Sequence, residues 1–294
     1  MIIAYDTPGQ LGNQLWAYSN LIAIGKEYNL SVVIILQQNY YKLLDADALK
    51  TAKKNSVYVL DAVSYKGRII RKLSAFFLKN SNGLLAKGLH VKIVADGSTA
   101  LQKIIERNRN QIYIVNAWEQ RIYISSFLKE SDFIRSVILP GAESKKKAAE
   151  RIEFLRQKFD VIVAVHIRRG DYKTFLDGKY YFEDDVYLQK MEKINLLLSP
   201  AKVVFAIFSN EKIDINNFTT VNASFNNNNT PIGDMWGISL CDFIIGPLST
   251  FSMWASFWKK VPLHFIQKNT EIKTIDIFSP VIAQDFQKSG AVTG

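Results

Sequence analysis

Val161-Ile162-Val163-Ala164-Val165-His166-Ile167-Arg168-Arg169-Gly170-Asp171-Tyr172 begins apolar and ends charged. Val161 to His166 reads as a strand buried on both faces, because nothing in it alternates with polar residues. A strand of that kind belongs in a parallel sheet with helices on either side. The residues that follow keep the pattern. Asp184 to Leu198 reads as a helix and Val203 to Phe208 as a second buried strand. Thr219 to Ala223 reads as a weaker strand, Gly233 to Cys241 as a helix and Phe243 to Gly246 as a strand. Thr250 to Trp258 reads as a helix, and Leu263 to Ile266 closes the series. Alternating strands and helices predict an α/β, doubly wound parallel sheet. Such sheets take ligands beyond the carboxyl ends of their strands.

The front of the chain predicts a second unit of the same kind. Ile2 to Tyr5 is a short apolar strand, a glycine-containing turn follows, and a helix runs to about Tyr28. Ser31 to Leu36, Ser56 to Leu60, His90 to Ala95 and Ile112 to Val115 read as further strands. Arg68 to Leu78 reads as an amphipathic helix with a basic face. Pro140-Gly141 breaks the chain, and Glu143 to Lys158 is a charged helix. The expected division is residues 1–150 and 151–294. Asn226 to Asn229 reads as a loop tip.

Composition narrows the class. The 294 residues are 48% hydrophobic and 22% charged, which excludes a disordered chain or a fibre. A formal charge of +10 suits an anionic partner, but only Lys145 to Lys147 form a run of three. The single cysteine, Cys241, excludes an internal disulfide and a cysteine zinc site. His90, His166 and His264 are scattered, and no metal site is expected. The opening residues lack the basic region of a secretion signal, and no apolar stretch is long enough for a spanning helix. The expectation is a cytoplasmic protein.

Three segments carry chemistry, each where a strand gives way to a loop or helix. His166 and Arg168 are two apart, so an extended backbone puts them on one side. The planar guanidinium fork of an arginine suits a diphosphate, and Asp171 can orient an arginine. In Gly246-Pro247-Leu248-Ser249-Thr250-Phe251-Ser252, a strand feeds a helix. Ser249 or Thr250 would cap that helix, and its positive end would point at an anion. Gly9-Gln10-Leu11-Gly12-Asn13-Gln14 is neither a P-loop nor a dinucleotide fingerprint, since it lacks the lysine of one and the third glycine of the other.

Together these segments resemble glycosyltransferase family 11, the α-1,2-fucosyltransferases, within the superfamily that includes the α-1,6- and protein O-fucosyltransferases. The family's first motif is similar to Pro8 to Trp16, with Gln10 where a glycine is usual. Its His-x-Arg-Arg-x-Asp-Tyr motif is complete as His166 to Tyr172. Its third block matches Asp234, Cys241-Asp242 and Ser249-Thr250-Phe251-Ser252-Met253-Trp254. The resemblance implies a GT-B fold of two Rossmann-like domains facing a cleft. It implies fucose transfer from GDP-fucose to O-2 of a terminal galactoside in a glycan acceptor, inverting and metal-free, with no cofactor.

Residue by residue, the resemblance implies that Arg168 holds the diphosphate and steadies the leaving GDP. His166 and Asp234 contact the guanosine, Ser249, Thr250 and Phe251 bind phosphate, and Asn13 lies near the reacting centre. Trp118 and Glu119 stand where the family carries a segment that plausibly touches the acceptor. The general base is open between Asp171, Glu119 and Asn13. A different GDP-sugar is an alternative donor.

Two rivals have their own sequence features. A basic nucleic-acid-binding protein would use the same arginines on phosphates and would need them on one face among aromatics. Arg168 and Arg169 instead share one tight loop with a histidine and an aspartate, so no nucleic-acid partner is expected. Asp45-Ala46-Asp47 has the form of a metal-binding D-x-D, but within Tyr41 to Lys50 it reads as a helix face. Lys66 to Lys79 combines five basic residues with Phe76 and Phe77, which suits peripheral contact with the inner membrane face. Trp16 and Tyr18 are expected to be partly buried, and Trp254, Phe257 and Trp258 to belong to the core.

Overall fold

Two parallel sheets organise the chain in a computed structural model that describes residues 1–81, 83–120, 122–225, 230–268 and 270–282. The first sheet contains β1 (Ile2–Ala4), β2 (Val32–Leu36), β3 (Val57–Asp61), β4 (Val91–Val94) and β5 (Ile112–Val115). Its order is β3-β2-β1-β5-β4, all parallel. The second contains β6 (Val161–Ile167), β7 (Val203–Ser209), β8 (Ala223–Phe225), β9 (Phe243–Gly246), β10 (Pro262–Phe265) and β11 (Ser279–Pro280). Its order is β11-β10-β9-β6-β7-β8. Among the described residues of this sheet only β11 runs antiparallel, pairing Pro262 with Pro280 and Leu263 with Ser279.

The second sheet grows outward from its first strand in both directions. β7 and β8 lie on one side of β6, and β9 and β10 on the other. The order therefore reverses between β6 and β9. In the first sheet β4 takes the far edge and β5 returns to lie between it and β1. The loops leaving the two strands at a reversal diverge and open a crevice, which is where doubly wound sheets bind ligands.

The central strands justify their continuous apolar sequences. Every residue of β1 and β2 is buried, as are Ile162 to Ile167 of β6. The Leu11–Glu27 helix is buried over most of its surface. Trp16 and Tyr18 are completely enclosed, where partial burial was expected. Trp16 stacks on Phe127 at 5.7 Å. Tyr18 can be enclosed because its hydroxyl bonds the carbonyls of Asp6 at 2.8 Å and Ile35 at 2.7 Å. Gly25 lets the helix close on β2, since a Cβ there would lie 2.1 Å from Val32.

The chain divides into two compact units, Met1–Gly141 and Ala142–Ile282. The division expected at 150 would cut the Ala142–Arg156 helix, which packs on β6 and on the Pro231–Ser239 helix of the second unit. The strand expected at Thr219 to Ala223 lies instead at Ala223–Phe225. A 3-10 turn, Ile215–Phe218, takes up the chain before it, with Asp214 accepting from the Asn216 amide. Asp45 is not mid-helix. It caps the Ala46–Lys54 helix, accepting from the amides of Asp47 and Ala48 at 3.0 Å, while Asp47 pairs with Lys50. Asn226 to Asn229 lie outside the described residues. No helix among the described residues is long and apolar enough to cross a membrane.

Candidate active site

His166 is the next-to-last residue of β6, and Gly246 is the last of β9. The two strands are neighbours in the sheet, so their carboxyl ends arrive side by side at the reversal. Gly246 is required there. A Cβ on it would lie 2.9 Å from the His166 carbonyl and 3.0 Å from the His166 Cβ, too close for either strand to keep its place.

The loops beyond these strands are tied together. The imidazole of His166 stacks on the ring of Phe251, 5.1 Å between centroids and 27° between planes. Tyr172 donates its hydroxyl hydrogen to the Leu248 carbonyl at 2.8 Å. Ser249 caps the Thr250–Lys259 helix by accepting the Phe251 amide at 3.3 Å. The positive end of that helix therefore opens beside His166 and the Arg168 loop. His166 is only 4% exposed, and burial together with the Arg168 charge pushes its pKa down to about 3. It stands as a neutral ring over the whole working range of pH.

The two adjacent arginines do different work. The Arg168 Nη2 meets both carboxylate oxygens of Asp171, at 2.8 Å and 3.0 Å, and its guanidinium lies over the Tyr172 ring at 5.4 Å. Arg169, 7% exposed, points the other way and is held by Tyr181, Glu183 and Asp184 at the start of the Asp184–Leu197 helix. Its backbone amide donates to Asn210 at 2.9 Å. Gly170 then turns the chain with a φ of +63°, a conformation that favours glycine. Arg169 is thus a scaffold residue, while Arg168 stays within its own loop, on Asp171 and Tyr172. A pair of arginines spreading over nucleic-acid phosphates does not fit this division.

Asp234 lies in the first turn of the Pro231–Ser239 helix, capped by Thr230, whose Oγ1 accepts the Gly233 amide at 3.2 Å. Sequence reading missed the residue beside it. Arg151 extends from the Ala142–Arg156 helix under the carboxyl ends of β7 and β8. It donates to the carbonyls of Ile207 at 3.2 Å and Ser224 at 2.9 Å and lies 4.5 Å over the Phe208 ring. Burial lowers its pKa while Cys241 and Asp234 oppose that fall. As one of five basic residues in a charged helix, it gave no signal in the sequence.

Asn13, Trp118 and Glu119 belong to the first unit, in the segments that follow its adjacent strands β1 and β5. Asn13 lies in the first turn of the Leu11–Glu27 helix, and a Cβ on Gly9 would lie 2.6 Å from its side-chain amide. Trp118 and Glu119 follow β5, with Trp118 partly buried and Glu119 exposed. Asp6, just past β1, was also missed. Its carboxylate accepts the amides of Ala117 at 2.7 Å and Trp118 at 3.2 Å and so fixes the loop that carries Trp118 and Glu119. Burial raises the Asp6 pKa against those hydrogen bonds.

The family model described as glycosyl transferase family 11 matches residues 101–270, more than half of the chain. The protein belongs to that family. It is therefore a glycosyltransferase. No curated protein matches it. Among solved structures it is similar to a mutant of FUT1 from Arabidopsis thaliana in complex with GDP, at 10% identity. That match covers 95% of this chain and 73% of the other, with a TM-score of 0.57. It is also similar to the fucosyltransferase NodZ from Bradyrhizobium, at 12% identity over 89% and 93% of the two chains, with a TM-score of 0.54. POFUT1 in complex with GDP matches at 11% identity over 90% and 98%, with a TM-score of 0.53. These likenesses give this family 11 member the GT-B fold class.

Proposed function

We propose that this family 11 glycosyltransferase moves fucose from GDP-fucose to O-2 of a terminal galactoside in a glycan acceptor, inverting the anomeric centre and using no metal. The observation that carries the reading is that the Arg168 loop is tied to the start of the Thr250–Lys259 helix at the reversal between β6 and β9, by His166 stacked on Phe251 and Tyr172 bonded to the Leu248 carbonyl. Breaking a glycosyl phosphate leaves negative charge on the departing diphosphate, and aimed donors must stabilise it. Arg168 would supply a bidentate charged donor, and Ser249, Thr250 and Phe251 a helix terminus. Solved structures of similar fold were obtained with GDP-fucose, namely POFUT1 and the α-1,6-fucosyltransferase NodZ.

In this mechanism the acceptor hydroxyl oxygen attacks the anomeric carbon as the bond to the β-phosphate oxygen breaks. GDP leaves with the bonding electrons. The hydroxyl proton goes to a base or to solvent. Asp171 is engaged with Arg168, so its role here is to orient the guanidinium. His166, neutral and stacked on Phe251, would flank the nucleotide, and Asp234 would accept from the guanine. On the acceptor side, Asn13 would hydrogen-bond the sugar, and Trp118 would offer a ring face to it. Glu119 remains the candidate base.

The test is GDP release from GDP-fucose with lactose or N-acetyllactosamine, in EDTA, followed by NMR assignment of the product linkage. Acceptor-dependent release that survives EDTA and disappears in Arg168→Ala is expected, with the fucose on O-2 of galactose. Release from GDP-mannose alone would replace the donor. Fucose on another position would replace the linkage, and loss of activity in EDTA restored by a divalent cation would overturn the metal-free mechanism.

A further inference from the structure

The helix Tyr65–Lys79 is held to the first sheet by one narrow side, through Gly67, Ser74 and Phe77. The side turned away from that contact is not polar. Tyr65, Ile69, Leu73 and Phe76 recur at intervals of four, four and three, which places them on one face, and all are exposed. The short Leu84–Gly88 helix and the residue after it continue the patch with Leu84, Leu85 and Leu89, and Leu84 is 90% exposed. Between the two helices lies an apolar cavity of about 320 Å³, lined by Leu73, Phe76, Leu85 and Leu89 over a floor that includes Ile3 and Ile114.

Charge on this part of the chain is wholly one-sided. Between Asp61 and Asp96 there are seven lysines and arginines and no acidic residue, so the segment carries +7 of the protein's net +10. All seven are exposed. By helical spacing, Lys66 flanks the apolar stripe on one side, and Arg68, Lys72 and Lys79 on the other. Long basic side chains beside an apolar stripe can lay their stems on hydrocarbon and lift their charges to a phosphate layer. A helix on an ordinary water-facing surface would carry charges of both signs and no such stripe.

We propose that this face docks the protein on an anionic phospholipid bilayer, with the basic residues on headgroup phosphates and the leucine and phenylalanine stripe at the acyl boundary. The charge sign matches the cytoplasmic leaflet. Apolar insertion and basic flanks are the two signals that reversible membrane attachment uses together. Nucleic acid fits less well, because the exposed apolar groups are chiefly aliphatic and offer few ring faces for bases. The proposal is independent of the sugar-transfer reading and holds whatever the donor.

Sedimentation of the full chain with vesicles tests it. Binding to an equal mixture of phosphatidylcholine and phosphatidylglycerol is expected, with little binding to phosphatidylcholine alone. Lys72→Glu should lower the partition by at least the roughly five-fold expected for one basic residue near the surface. Leu84→Ser should lower it too, with little change in the melting temperature, because that side chain is 90% exposed. Leu73→Trp should fluoresce further to the blue on mixed vesicles and be quenched by brominated acyl chains. Equal binding to both vesicle types, no binding to either, or an unshifted tryptophan would overturn the proposal. So would an RNA that binds this face more tightly than the mixed vesicles do.

Discussion

The His166 ring and the Phe251 ring lie nearly parallel, 5.1 Å apart, and join the end of β6 to the helix that follows β9. Because His166 ends β6 and Phe251 begins the helix that β9 leads into, the stack reports how closely β6 and β9 approach. Gly246→Ala would put a methyl group 2.9 Å from the His166 carbonyl and force them apart. A loss of about 1–3 kcal/mol in unfolding free energy is expected, as for overpacking elsewhere, with a larger fall in GDP affinity than Phe251→Ala gives alone. In a double-mutant cycle, His166→Ala and Phe251→Ala should couple by about 1 kcal/mol. Denaturant melts and GDP titrations check both figures, and additive single variants would show that the stack contributes nothing.

Arg168 and Arg169 should separate function from stability. Arg168→Ala should lower kcat by about 10²–10³-fold, the usual cost of losing one donor to developing charge, with little change in melting temperature. Arg169→Ala should cost about 2–4 kcal/mol, because it leaves the Asp184 carboxylate facing an emptied, mostly buried position. Thermal denaturation beside initial rates would check this. Equal effects of the two substitutions on stability would contradict the division.

Acid should weaken the fold through His166. The unfolded chain takes up this proton near 6.5, while the folded chain holds it off until about 3. Between those values the unfolded state binds more protons, so stability rises with pH. The contribution is complete above about 6.5 and is lost as pH falls toward 3, at up to about 1.4 kcal/mol per pH unit. His166→Phe removes the titration and preserves a ring against Phe251. Its unfolding free energy should therefore change less steeply than the parent's over that window, as urea melts at stepped pH would measure.

Cys241 should be chemically silent in the folded protein. It is buried, its thiol donates to the Gly237 carbonyl at 3.4 Å, and burial pushes its pKa up to about 12. A thiol-directed reagent at mildly alkaline pH should modify it only after denaturant is added. Stoichiometric labelling of the native protein would contradict the burial.

Much of this arrangement was legible in the residues because local and global signals agree. β6 and β7 are unbroken apolar runs, and each is buried in the middle of a parallel sheet. Ser249 is the kind of residue that caps a helix, and it does so. What escaped reading depends on partners distant in sequence. Arg151 meets Ile207 and Ser224 only because three elements converge, and Asp6 meets Trp118 only because β1 pairs with β5. Trp16 could be fully enclosed only once Phe127 closed over it. β11 is too short, and too rich in proline, to carry any periodic signal. The D-x-D carboxylates, expected inside a helix from Tyr41 to Lys50, stand at the start of one that begins only at Ala46, since a cap is fixed by the backbone and not by composition alone.

That brief last strand has a further effect. A parallel sheet that ended at β10 would offer a row of unpaired backbone groups to any extended chain nearby. β11 covers the first half of that row, at Pro262 and Leu263, from the opposite direction, and Pro262 faces Pro280, neither of which has an amide hydrogen to offer. The outermost strand at this edge is thus only two residues long and half proline, a poor template for strand-by-strand aggregation in a concentrated solution of the protein.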